Sequence, residues 1–276
     1  MKNKKESLNI VLFGIDGYSN IVLTSLVNSR HSVKLVVCHY YDDEAFKQIK
    51  ATCVSHNIPI MQVKTVNCSE VASKVKEACP DICVIAHFER IIKKDLLEIP
   101  PMGFINLHPS LLPYYRGLAP QHWPIINGEK ETGITVHYVD EGTDTGDIIL
   151  QKRISIGEDM YVAELHSIWK ELYKTIVIEA IEHILSGQPC LSQPKGEGSF
   201  YAKMKSEPYP LDKNWPVRTA YNWVRAMSLP YDGVFYDDYI IYKAHIKGKD
   251  EVVSNDEPVL QFKDGFLVAD WFDEKD

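Results

Sequence analysis

From Leu8 to Phe88, short apolar runs alternate with longer stretches of mixed polarity. LNIVLF (8–13), VKLVVCHY (33–40), IPIMQV (58–63) and DICVIAHF (81–88) predict strands, and residues 18–30, 42–57 and 69–79 carry helical spacing between them. Strand and helix in strict alternation imply a parallel sheet with crossover helices. A fifth strand is expected near 103–107. Beyond it GITVHYVD (133–140) and DIILQKRISI (147–156) flank a glycine-bearing loop and predict two neighbouring strands at the far side of the sheet. Residues 160–186 form the longest helical pattern, which Gly187 and Pro189 end. Past residue 190, Pro, Gly and Ser concentrate, and one short helix near 216–227 stands among short strands. The division expected is a domain over 1–205 and a small mixed α+β subdomain over 206–276, with no internal repeat.

Composition narrows the class. Hydrophobic residues at 45% and charged residues at 25% suit an ordinary globular chain. No segment approaches the ~20 consecutive apolar residues of a membrane span. The basic start MKNKKESLNIVLFG leads into an apolar run that stops at Gly14 without a small-residue cleavage site, so it is taken as a first strand, and a cytoplasmic protein is expected. The six cysteines lack paired CxxC spacing and the ten histidines lack HxxxH or HExxH spacing, so neither a metal site nor a disulfide framework is expected. A net charge of −8 argues against a polyanion as main partner.

Two segments invite chemistry. FGIDG after the first strand is GxxG rather than GxGxxG, and His39 and Tyr40 stand where a dinucleotide site needs an acid, so it is read as a turn packing a helix on the sheet. In FINLHPSLLP (104–113), Asn106, His108 and Ser110 recur at every second residue. Asn106 and His108 would emerge at the carboxyl end of a strand, where open α/β sheets place ligands. The loop DEGTDTGD (140–147) offers four acids among two glycines. A carboxylate from it can orient the imidazole, an amide can donate to an oxyanion, and the imidazole can take a proton: a set suited to acyl transfer to an amine.

GFINLHPSLLPYYRGLAPQHWPIINGEKETGITVHYVDEGTDTGDIILQ (103–151) resembles the catalytic stretch of the 10-formyltetrahydrofolate-dependent formyltransferases. That family carries Asn-x-His-Pro-Ser-Leu-Leu-Pro, then Arg-Gly, then an Asp-x-Gly loop. The resemblance implies a Rossmann-like, mostly parallel α/β fold over 1–205 and assigns Asn106, His108 and Asp144 as catalytic. Of the other acids, Asp140, Glu141 and Asp147 fall outside that set. It implies 10-formyltetrahydrofolate as formyl donor, with no metal, gripped by Arg90, Ile91 and Ile92 and by Asp140, Glu141, Gly142 and Thr143. Ser110, Tyr114 and Arg116 are expected at the mouth, near the anionic part of the acceptor.

The tail points to the acceptor. Residues 206–276 hold 14 acidic and 8 basic residues, whereas methionyl-tRNA formyltransferases carry a basic domain for nucleic acid. SFYAKMK followed by NWPVRTAYNWVRAMSLPYDGVFY (214–236) resembles the tail of sugar N-formyltransferases. The resemblance implies a nucleotide-linked amino sugar, a dTDP-3-amino- or 4-amino-dideoxyhexose for surface polysaccharide, with no nucleic acid or membrane partner and a homodimer. Tyr221, Trp223 and Arg225 are expected at the base and pyrophosphate. The alternatives are a methionyl-tRNA formyltransferase and a non-catalytic nucleotide-binding protein.

Overall fold

The computed structural model describes residues 5–40, 43–248, 250–254 and 257–274, so residue 42, the expected start of the second helix, lies outside the described residues. β1 (Asn9–Gly14), α1 (Gly17–Val27), β2 (Ser32–His39), α2 (Glu44–Ser55), β3 (Ile60–Val63), α3 (Ser69–Glu77), β4 (Ile82–Ala86) and β5 (Phe104–His108) follow in order. β6 (Glu131–Tyr138), β7 (Ile148–Ser155) and α4 (Val162–Ser186) come next. The sheet order is β3-β2-β1-β4-β5-β6-β7. The first five strands are parallel and β6 runs antiparallel to β5. The expected α/β fold with a mostly parallel sheet is thus observed.

Burial follows the sequence pattern. Every residue of β4 and all but the first of β1 are buried, which is why these two strands read as continuous apolar runs: helices cover both faces. Val11, Phe13, Val37, Cys83, Ile85 and Phe104 form one core layer with Val71 and Val75 of α3. The FGIDG turn packs α1 on the sheet. A Cβ on Gly14 would stand 2.5 Å from Ser19 Cβ, and the Ser19 hydroxyl donates to Ala86 O at 2.7 Å. Asp16 caps α1 by accepting from Ser19 N at 3.0 Å.

The chain separates into two compact units with a boundary unlike the expected one. The first holds 1–116, 133–152 and 169–199; the second holds 117–132, 153–168 and 200–276. Two internal segments that belong in sequence to the catalytic half therefore pack with the tail, which no composition shift marks. Within the second unit Tyr209–Pro210, Val234–Tyr236, Tyr239–Ile246, Gly265–Glu274 and Val259–Phe262 make a five-stranded sheet in that order. α5 (Val217–Met227) lies against it through Ala220, Tyr221, Val224 and Met227.

Among the described residues, no helix is long and apolar enough to cross a membrane.

Candidate active site

β5 ends at the carboxyl edge of the sheet and carries Asn106 and His108 there. The register pairs Asn106 with His137 and His108 with Thr135 of β6, so His137 faces the same site from the antiparallel neighbour. The loop from Tyr138 to Asp147 brings Asp144 over both, and Tyr138 N closes its base by donating to Asp147 O at 2.9 Å. Gly146 permits that closure, because a Cβ there would lie 1.9 Å from Tyr138 O.

The hydrogen bonds fix the state of each ring. His108 Nε2 lies 2.8 Å from Tyr115 O, and a carbonyl only accepts, so Nε2 carries a proton and Nδ1 is the nitrogen left to gain one. Nδ1 faces Asp144 Oδ2 at 3.7 Å. His137 Nδ1 donates to Tyr138 O at 2.7 Å, which turns its Nε2 to accept from Asn106 Nδ2 at 3.2 Å. The Asn106 amide also reaches Asp144 Oδ1 at 3.4 Å, a long contact whose hydrogen an oxyanion can take.

Burial pushes His108 below the usual histidine range, while the Asp144 carboxylate and the Tyr115 carbonyl pull it back up and His137 and His87 oppose them. Asp144 and Tyr115, the two residues that grip the ring, both stand in the left-handed region with φ of 54° and 61°. Such strain, of order 1–3 kcal/mol per residue, is held where the surrounding structure over-determines it.

One strand away, His87 follows β4 at the level of His108 and shares the left-handed conformation, with φ of 52°. Its Nδ1 lies 2.8 Å from Asp16 and its Nε2 2.8 Å from the Tyr173 hydroxyl. This neighbour places the Asp16 carboxyl below its ordinary range despite burial, which opposes the shift.

Other expected residues have different surroundings. Ser110 is fully buried and its hydroxyl donates to Tyr114 O at 2.8 Å, so it closes its own turn instead of facing a substrate. Arg116 donates from Nε to Asp144 O at 3.2 Å and from Nη2 to Gln193 Oε1 at 2.7 Å; it holds the loop. Tyr114 is exposed. Arg90 donates to His39 Nε2 at 2.8 Å, Ile91 is exposed with its carbonyl taken by Asn67 Nδ2 at 2.8 Å, and Ile92 is buried. In the aspartate loop, Asp140 Oδ1 accepts from Gly142 N at 3.0 Å and Thr145 Oγ1 at 2.7 Å, while Glu141 and Thr143 are exposed.

In the second unit, the expectation for Tyr221 and Arg225 needs correction. Arg225 is 3% exposed and donates to Gly157 O, Met160 O and Asn222 Oδ1 at 3.2, 3.0 and 2.6 Å. Tyr221 is 4% exposed and its hydroxyl donates to Asp159 at 3.1 Å. Trp223 is half-buried and stacks on Trp215 with centroids 5.7 Å apart. These side chains form the inner face of an amphipathic helix, and their polar ends serve the unit's own backbone and side chains.

His137 was not singled out from sequence as a site residue. The only signal was its place on a strand near the aspartate loop; its pairing with Asn106 depends on a register that spacing does not reveal.

A family model described as formyl transferase matches residues 9–181, more than half of the chain. The chain belongs to the formyl transferase family. The formyltransferase is 34% identical over 235 residues to a methionyl-tRNA formyltransferase of Ruminiclostridium cellulolyticum, a match covering 83% of this chain and 75% of that relative. Its fold is similar to that of WlaRD, a sugar 3N-formyl transferase solved in the presence of dTDP and 5-N-formyl-THF. That likeness has a TM-score of 0.73 and 20% identity, and covers 95% of this chain and 97% of the other. It is also similar to an N-formyltransferase from Helicobacter canadensis in complex with folinic acid and dTDP-3-aminofucose, with TM-score 0.72, 18% identity and coverage of 94% and 98%. At those identities the two structures speak to fold alone. The reaction class is transfer of a one-carbon formyl group.

Proposed function

We propose that this formyltransferase moves the formyl group of 10-formyltetrahydrofolate to the amine of a nucleotide-linked amino-deoxy sugar, and that Asn106, His108 and Asp144 carry the reaction. The observation that carries the chemistry is the cluster itself: a buried imidazole with Nδ1 toward a carboxylate, beside an amide with a loosely held donor.

In the mechanism, the amine nitrogen attacks the formyl carbon and the carbonyl π pair moves to oxygen. The Asn106 amide donates to that oxygen. His108 Nδ1 takes the proton that the new ammonium releases, and Asp144 stabilises the imidazolium. Return of that proton to the folate nitrogen accompanies breakage of its bond to the formyl carbon, giving an N-formyl product and tetrahydrofolate. Arg90, Ile91, Ile92 and residues 140–143 are assigned to the donor, and Tyr114 to the acceptor.

The acceptor assignment is supported by the acidic balance of residues 206–276, 14 acids against 8 bases, which suits a small ligand better than a nucleic acid. The fold likeness to two sugar enzymes covers 95% and 94% of this chain and so reaches into the tail. A second reading, methionyl-tRNA formylation, has the 34% identity to that enzyme in its favour.

The test incubates the protein with 10-formyltetrahydrofolate and a panel of dTDP- and UDP-linked 3-amino and 4-amino sugars, with mass spectrometry for an added formyl group. Formylation of one sugar nucleotide, lost in Asn106→Ala and His108→Ala, supports the proposal. Transfer to no sugar overturns the acceptor, and near wild-type turnover in either variant overturns the site.

A further inference from the structure

Asp144 serves His108 only while its carboxylate stays in place, yet it sits in a loop whose neighbours Glu141, Gly142, Thr143, Thr145 and Asp147 are exposed. Two side chains from elsewhere in the first unit hold the backbone of that loop. Gln193 spends both amide hydrogens on it, donating to Asp144 O at 2.9 Å and Gly146 O at 2.7 Å. Arg116 Nε donates to Asp144 O at 3.2 Å, so this one carbonyl accepts from both residues. The two residues are joined to each other by Arg116 Nη2 donating to Gln193 Oε1 at 2.7 Å, and Arg116 Nη1 is fixed on Glu197 O at 3.3 Å. Every nitrogen of the guanidinium is thereby committed within the protein. The fork geometry of arginine is needed for this; a lysine ammonium offers one point of attachment.

We infer that Arg116 and Gln193 are positioning residues, a bracket that holds the Asp144 carboxylate at His108 Nδ1 and so sets how readily His108 accepts a proton. The inference rests on the proposed role of Asp144. The charged and titratable groups that act on His108 are Asp144 from the loop, His137 from β6 and His87 from the end of β4, with the Tyr115 carbonyl on the opposite ring nitrogen. Of these only Asp144 both raises His108 and depends on the bracket.

The variants are Arg116→Ala, Arg116→Lys and Gln193→Leu, each also made in an Asp144→Asn background. In the native background, kcat should fall roughly 10- to 100-fold, and the acid limb of the kcat profile should move to lower pH, as in Asp144→Asn alone. Lysine should not rescue. In the Asp144→Asn background the same changes should cost less than about threefold, because the group they position is already neutral. A purely structural tie would cost the same in both backgrounds and leave the limb in place, and that result overturns the inference. NMR titration of the His108 ring in folded protein gives a reading without substrate: a downward shift in Arg116→Ala and Gln193→Leu supports the bracket, and an unmoved titration refutes it. If the wild type formylates no amine, the proposed function fails, while the NMR reading still decides the bracket.

Discussion

Replacing Asp144 by Asn removes one negative charge while nearly keeping the side chain's size. The carboxylate lies 3.7 Å from His108 Nδ1, and both side chains are largely buried, at 13% and 5% exposure. At an effective dielectric of about 20, opposite charges at that separation attract by about 4.5 kcal/mol, which favours the protonated ring. His108 already sits below the ordinary histidine range through burial, and Asp144 is the largest influence opposing that fall. Asp144→Asn should therefore lower the His108 titration further and reduce kcat at neutral pH by roughly 10- to 1000-fold, with the fold intact. The assay pairs NMR titration of the ring with kcat across pH 5 to 9, a window of about two units either side of neutrality. A titration within about 0.3 unit of wild type, or a rate within about threefold, would refute the role given to this carboxylate.

Further tests reach other parts of the molecule. Gly146→Ala pushes a methyl to 1.9 Å from Tyr138 O, so the loop must move; kcat should fall by at least about tenfold, and retention of full activity would show that the loop geometry is not needed. Arg225→Ala removes three hydrogen bonds from a buried guanidinium and should cost about 3 kcal/mol or more of stability in denaturant unfolding. A stable variant with a raised acceptor KM would instead return Arg225 to the nucleotide. His122 is 2% exposed, and burial holds it down to about 4 although it donates to Ala226 O. Its folded pKa is depressed, so the stability it contributes is present above the unfolded value of ~6.5 and is lost as pH falls toward 4, by about 3 kcal/mol in total. His122→Gln should flatten the pH dependence of unfolding between those limits, and an unchanged slope would contradict this.

The parallel half of the sheet was readable because strands buried on both faces carry uninterrupted apolar residues, as β1 and β4 do. Asn106 and His108 stand out in the sequence as polar residues at period two at the end of such a strand, and the structure brings both to Asp144. What sequence hid has a common physical cause. Ser110, Arg116 and Arg225 were assigned to ligands, but their partners are the carbonyls of Tyr114, Asp144, Gly157 and Met160. Backbone carbonyls occur at every position, so no spacing identifies them. His137 entered the site through an antiparallel register fixed by the crossover between β5 and β6. The place of Tyr221 was hidden for a related reason: α5 is strongly two-sided, and Tyr221 sits on its buried face.

The acceptor is what sets this formyltransferase apart from the rest of its family. Under one set of conditions, with 10-formyltetrahydrofolate as donor, the enzyme should be offered a dTDP-linked 3- or 4-amino sugar together with methionyl initiator tRNA, and kcat/KM determined for each. The sugar nucleotide should be formylated at least about 100-fold more efficiently, a difference of about 3 kcal/mol in transition-state binding. Preference for the charged tRNA would contradict it.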